Sequence, residues 1–143
     1  MKKLNYFLSA LLSAISLLNF PSFLHAKEIQ NKSGVKVSKI ETKDAVQIKE
    51  IFDKKDKNNI FIDVREPFEW KDGIIPNSLK ISLGSIPKAI EKLDKNKNYI
   101  LVCRSGNRSS NAAKTMKKAG FNNLTNFQGG MISWNRNKFP ITK

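Results

Sequence analysis

Cysteine occurs once in these 143 residues, as Cys103, and histidine once, as His25. A single thiol cannot form an internal disulfide, and dithiol exchange of the thioredoxin kind lacks its second cysteine. His25 lies in an N-terminal segment that reads as a cleavable leader, so the rest of the chain has no histidine. That excludes Cys–His proteases, Ser–His hydrolases and histidine metal centres together. No uncharged apolar run approaches the roughly 20 residues that span a bilayer comfortably. Internal repeats, low-complexity tracts and Gly-rich phosphate-binding motifs are also missing.

The N-terminus has the three parts of a secretory signal. Lys2 and Lys3 are its basic start, Phe7 to Phe20 its uncharged apolar stretch, and Leu24-His25-Ala26 its processing site behind Pro21. The reading is a signal peptide over residues 1–26, cleavage before Lys27, and a periplasmic or secreted product with no stable membrane insertion. An uncleaved signal acting as a membrane anchor is the alternative, because Leu24 fits the small-residue pattern imperfectly. No cysteine lies near the site, so a lipid anchor there is not expected. Residues 27–34 read as a polar spacer and 35–143 as one domain, long enough for a real core and too short for two. A lone thiol in an oxidising compartment is either buried or kept for its reactivity. The strand-end position of Cys103 favours reactivity.

Acidic residues are scarce and unevenly placed. The chain has 26 Lys and Arg against 12 Asp and Glu, a formal charge of +14. Without Lys2 and Lys3, 24 basic residues remain. Ten of the acids precede Ile74; beyond it Glu91 and Asp94 face 13 basic residues. Such a surplus draws small anions, or an acidic protein partner, toward the half that holds Cys103. A Lys- and Asn-rich solvated surface accounts for the same counts. Nucleic acid is not an expected partner, since the lysines are scattered and no stacking aromatics are interleaved.

Taken in order, the patterning predicts five strands alternating with helices. Val35 to Ile40 alternates with period two and reads as a first, half-exposed strand. Thr42 is the expected N-cap of a helix to about Lys54, with Ala45, Ile48, Ile51 and Phe52 on one face. Ile60 to Val64 reads as a buried strand, followed by a short helix over Phe68–Lys71 opened by Pro67. Leu79–Leu83 reads as a third strand, and a helix behind Gly84-Ser85 turns Ile86, Ala89, Ile90 and Leu93 inward. Tyr99 to Val102 is a fourth strand and Leu124–Phe127 a fifth. Gly129-Gly130 makes a tight turn into a last helix, Met131–Asn135, that buries Trp134; Trp70 is assigned to the core as well. The fold class is α/β: a single domain with a mostly parallel five-stranded sheet, helices on both faces. Ligands bind such sheets off the carboxyl ends of the strands.

Tyr99 to Gly120 is the stretch that carries chemistry. The apolar strand delivers Cys103 into the polar loop Arg104-Ser105-Gly106-Asn107, and a helix begins near Arg108 or Ser109, stopped by Gly120. Convergent loop amides and a helix dipole stabilise negative charge, as do Arg104 and Arg108. All of these favour thiolate over thiol, which makes Cys103 the candidate nucleophile. Gly106 serves the backbone turn.

The loop Cys103-Arg104-Ser105-Gly106-Asn107-Arg108-Ser109 resembles the active-site loop of single-domain rhodaneses, which are sulfurtransferases. Ile62-Asp63-Val64-Arg65-Glu66-Pro67 with Glu69-Trp70, Gly73 and Ile75-Pro76 is similar to the family's upstream signature. Leu124 to Gly130 with Trp134 and Pro140 resembles its C-terminal signature. The resemblance implies a rhodanese-like fold without a cofactor. It also implies a Cys103 persulfide, charged by a small anionic donor such as thiosulfate and discharged to cyanide or a thiol. It implies donor and persulfide binding by Arg104, Ser105, Gly106, Asn107, Arg108 and Ser109, with Asp63 and Arg65 bracing the site from behind. Ile74 stands where the family usually has histidine, so any polar contact of that histidine is lost while apolar bulk still packs. Asn77 stands where glycine is common, and Asn tolerates left-handed backbone.

Two other functions compete. A periplasmic persulfide carrier or partner-binding rhodanese module would need the same loop but turn over thiosulfate slowly. A Cys-dependent phosphatase or arsenate reductase would have the C-x5-R spacing; here only four residues separate Cys103 from Arg108. The shorter loop suits one sulfur atom better than a tetrahedral oxyanion, and no general-acid aspartate is identifiable.

Overall fold

The computed structural model describes residues 39–143. The signal peptide, the spacer and most of the expected strand Val35–Ile40 lie outside the described residues. No helix among the described residues is long and apolar enough to cross a membrane.

Five strands are present among the described residues: β1 (Glu41–Lys43), β2 (Asn59–Asp63), β3 (Leu79–Lys80), β4 (Asn98–Val102) and β5 (Leu124–Phe127). They pair in the order β1-β5-β4-β2-β3, and every pair is parallel. The helices are α1 (Ala45–Asp53), α2 (Ile86–Ala89), α3 (Asn107–Lys118) and α4 (Gly130–Arg136), with 3₁₀ turns at Pro67–Asp72 and Leu83–Ser85. The central strand β4 shows why the sheet is covered twice. Tyr99 and Leu101 point to one side and pack with Ile62, Val64, Ile86, Ala112, Ala113 and Met116 under α2 and α3. Ile100 and Val102 point to the other and pack with Ala45, Ile48, Phe127, Met131 and Trp134 under α1 and α4. Strand alternation thus divides one apolar run between two cores. Trp134 sits edge-on to Phe52, Phe127 and Phe139, with ring centroids 5.7, 6.1 and 5.0 Å away. Its indole N–H donates to Pro140 O at 2.8 Å, tying down the C-terminal segment.

Several boundaries differ from expectation, each for a local reason. The strand that joins the sheet at this edge is Glu41–Lys43, and Thr42 lies inside it, paired with Asn126. The cap of α1 is Asp44, whose carboxylate accepts from Val46 and Gln47 N–H at 3.0 Å while Gln47 Oε1 accepts from Asp44 N–H. This reciprocal pair defines the helix start more strongly than a lone threonine does. The strand expected over Leu79–Leu83 is two residues long and gives way to a 3₁₀ turn at Leu83. The helix expected through Leu93 ends at Ala89, beyond which Lys92 N–H bonds tightly back to Ala89 O. Ile90 and Leu93 still pack on the core. Trp70 is only half-buried, outside the core. Asn77 adopts φ 64°, the left-handed conformation that asparagine tolerates. Ile74 is buried and bridges antiparallel to Thr142, so its apolar side chain fills the position and its backbone holds the chain end.

Candidate active site

Cys103 follows the last residue of β4 and, by strand alternation, faces the α3 side with Tyr99 and Leu101. It is 1% exposed. Gly106, with φ 110°, turns the chain into α3, one or two residues ahead of the expected start. A Cβ there would meet Gln128 Cα at 3.2 Å and Phe127 O at 3.3 Å, so both the backbone angle and the neighbouring strand end require glycine. As N-cap residue, Gly106 offers no side chain to the first amides of the helix. The sulfur takes the cap's place. Gly106 N–H donates to Cys103 Sγ at 3.0 Å, and Ser109 Oγ lies 3.4 Å from it.

The loop carbonyls point the other way, onto the start of α4. Met131 N–H donates to Cys103 O at 2.8 Å, Ile132 N–H to Arg104 O at 3.1 Å and Gly129 N–H to Ser105 O at 3.1 Å. These bonds orient the loop's peptide units so that N–H groups face the sulfur. Gly130 allows the approach: a Cβ on it would collide with the carbonyls of Cys103 and Arg104. Burial pushes the Cys103 thiol up. The Ser109 hydroxyl and the amides of Ser109, Gly106 and Ser105 outweigh it and leave the thiol below its ordinary range. The lowering comes from these hydrogen bonds.

Arg108 has a different partner from the one expected. From the first turn of α3 its guanidinium forks onto Glu69 of the Pro67–Asp72 turn, Nη1 to Oε2 at 2.6 Å and Nη2 to Oε1 at 2.8 Å. The Arg108 hydrogen bond, partly offset by burial, holds the Glu69 carboxyl down to about 2. Arg104 and Asn107 are exposed on the loop, and Arg104 makes no ion pair among the described residues. Asp63 and Arg65 form a buried pair: Arg65 Nε and Nη2 donate to Asp63 Oδ2 at 3.0 and 2.7 Å. Nη2 also donates to Gly73 O at 2.7 Å, tying the end of β2 to the end of the turn that carries Glu69. The Arg108–Glu69 ion pair therefore links the loop to the turn, and the Arg65–Gly73 hydrogen bond links the turn to the β2 end. Among the described residues no group of three His, Cys, Asp or Glu side chains is gathered to hold a metal ion.

Glu69 and Asn126 carry no signal in the sequence beyond standing inside the signature blocks, and Gly130 shows only as a turn glycine, without its contact to the Cys103 loop.

The Glu69–Arg108 pair yields a pH prediction. Because the folded-state carboxyl titrates below its unfolded value of 4.5, its stabilisation is complete above about pH 4.5 and is lost as pH falls toward 2. Glu69→Gln is expected to cost about 2 kcal/mol near neutrality, the shift being discounted for the solvent-facing Arg108 side chain. Urea unfolding of both proteins should show the gap at pH 7 and its narrowing below pH 4. A gap independent of pH would contradict this account of the pair.

Residues 44–137 match the family model of the rhodanese-like domain. YtwF of Bacillus subtilis is 44% identical over 79 residues, which cover 55% of this chain and 76% of that protein. A sulfurtransferase of Allochromatium vinosum is 33% identical over 82 residues, 57% of this chain and 77% of its own length. The crystal structure of a rhodanese-related protein from Thermoplasma volcanium matches with a TM-score of 0.63 at 30% identity, covering 71% of this chain and 97% of that one. An α/β domain with one cysteine in an amide-lined loop off a parallel strand defines the class, and this chain belongs to the rhodanese-like family. Its sulfurtransferase relatives support rhodanese-type sulfur transfer, and with it a rhodanese-type enzyme.

Proposed function

We propose that the protein transfers sulfane sulfur through a persulfide on Cys103, with thiosulfate as donor and cyanide or a cellular thiol as acceptor. The observation that carries the reading is the sulfur's position: it accepts from the Gly106 amide and stands where a helix cap would, at the start of α3. The Cys103 thiolate attacks the outer sulfur of thiosulfate. A new S–S bond forms, the old one breaks, and sulfite leaves with the bonding pair. The persulfide's terminal sulfur is anionic and suited to the amides of Ser105 through Ser109. Cyanide attacks that sulfur, releases thiocyanate and returns the thiolate. Arg104, exposed on the loop, is the residue assigned to draw the anionic donor in; Arg108, held by Glu69, braces the loop's far end. The leader read in residues 1–26 supports a periplasmic or secreted site for this chemistry, and the basic second half supports attraction of small anions or an acidic partner.

A two-step covalent route predicts ping-pong kinetics. Initial rates of thiocyanate formation, measured over a grid of thiosulfate and cyanide concentrations, should give parallel double-reciprocal lines. Intersecting lines would contradict a free persulfide enzyme. Stoichiometric charging with thiocyanate released in only one turnover would favour the carrier.

A further inference from the structure

Ser109 is the only side chain that reaches the sulfur by hydrogen bonding among the described residues, and it has more acceptors than protons. Its Oγ lies 3.4 Å from Cys103 Sγ, 3.0 Å from Gly106 O and 2.7 Å from Asn126 Oδ1. A hydroxyl donates one hydrogen. Where Asn126 presents its oxygen, the shortest of the three contacts competes with the sulfur for that hydrogen. In that state a neutral thiol S–H is free to donate to the Ser109 oxygen instead.

Asn126 is placed to decide the matter. It sits on β5 in register with Leu101 of β4, two residues ahead of the cysteine along the central strand. Its side chain lies on the α3 side, against Ser109, and it is one of four buried polar or charged residues among the described residues, at 8% exposure. The two ends of a carboxamide have nearly the same shape but opposite hydrogen-bond character. Turned by half a revolution, Asn126 would donate from Nδ2 to Ser109 Oγ. The serine hydrogen would then be released toward the sulfur or Gly106 O, and an anionic sulfur is the stronger acceptor.

We propose that Asn126 is a positioning residue for Cys103: its amide orientation switches Ser109 between accepting from the neutral thiol and donating to the sulfur anion. Leucine at this position fills similar space and offers neither function. Aspartate fills it and, ionised, can only accept, holding the Ser109 hydrogen away from the sulfur. The inference rests on Cys103 being the nucleophile, as proposed above, but needs no assumption about donor or acceptor.

Alkylation of Cys103 by iodoacetamide, followed from pH 5 to 10, measures the thiolate directly. Asn126→Leu removes the competing acceptor, so it should move the rate profile to lower pH and speed alkylation at pH 7 by about threefold. Ser109→Ala removes the hydrogen itself and should act in the opposite direction, slowing alkylation by about three- to tenfold, the size expected for one hydrogen bond to an anion. The double variant should match Ser109→Ala alone, because Asn126 acts only through the hydroxyl. Should Asn126→Leu fail to fold, by far-UV circular dichroism, Asn126→Asp replaces it. Its shift should then be larger with Ser109 present than in the Ser109→Ala background, where only its added charge remains. An unchanged profile in the Asn126 variant, or equal shifts with and without Ser109, would overturn the proposal. Sulfur uptake from thiosulfate by the wild type, measured on the same sample, tests the sulfur-transfer reading separately.

Discussion

Replacing Cys103 by serine is expected to lower thiocyanate formation from thiosulfate and cyanide by about 10³-fold or more, with the fold intact. The loss follows from removing the nucleophile of a covalent route, for which binding and oriented amides supply only a residual rate. A serine hydroxyl stays protonated across the working pH range, and no histidine exists among residues 27–143 to take its proton. Stability should move little. Serine is isosteric in outline and its oxygen can accept the same Gly106 N–H. The expected change in unfolding free energy is within about 1 kcal/mol. Thiocyanate assays beside urea unfolding curves separate the two effects. Residual activity above a few per cent would remove Cys103 from the centre of the mechanism.

Gly130→Ala is expected to do the reverse, damaging the fold of the site while leaving every reacting atom in place. Gly130 has φ 50°, which alone costs a non-glycine residue about 1 kcal/mol. The larger cost is steric. The added Cβ would run into the carbonyls of Cys103 and Arg104, and these are backbone atoms that cannot rotate away. Relief requires the loop to part from α4, which breaks the bonds from Met131 and Ile132 N–H to those same carbonyls. A loss of about 3 kcal/mol in stability is expected. Sulfur uptake should fall by about 10²-fold in the folded fraction, because the amides that face the sulfur are aimed through these carbonyls. Denaturant unfolding and single-turnover sulfur uptake measure the two parts. Wild-type values in both would mean that the α4 start does not set the loop.

The α/β class, the parallel sheet and the cysteine's place at a strand end were legible because they are local. Tyr99 to Val102 is apolar and β-branched, Gly106 can turn the chain, and Ala112, Ala113 and Met116 fall on one helical face. Each of these signals lies within a few residues of the element it specifies. The same reasoning misplaced the start of α1, where Thr42 and Asp44 are both capping residues two positions apart. Only the answering side chain of Gln47 distinguishes them.

What was not legible was mostly non-local. Arg108 reads as a donor-binding residue from its place in the Cys103 loop; its partner Glu69 is 39 residues away. Ser109 read as one of several loop donors, and Asn126, 17 residues on, was invisible as the sulfur's competitor for the Ser109 hydrogen. Gly129-Gly130 read as a turn, which it is. That the turn and the first residues of α4 also receive three loop carbonyls depends on how α4 docks at the end of β4, and no spacing rule encodes that docking.

The measurement that tests the central claim most directly is the intact mass of the protein after thiosulfate, with Cys103→Ser treated alongside. The account predicts a gain of one sulfur atom on the wild type only, lost on adding cyanide as thiocyanate appears. No sulfur gain on the wild type, or an equal gain on Cys103→Ser, would contradict a persulfide at Cys103.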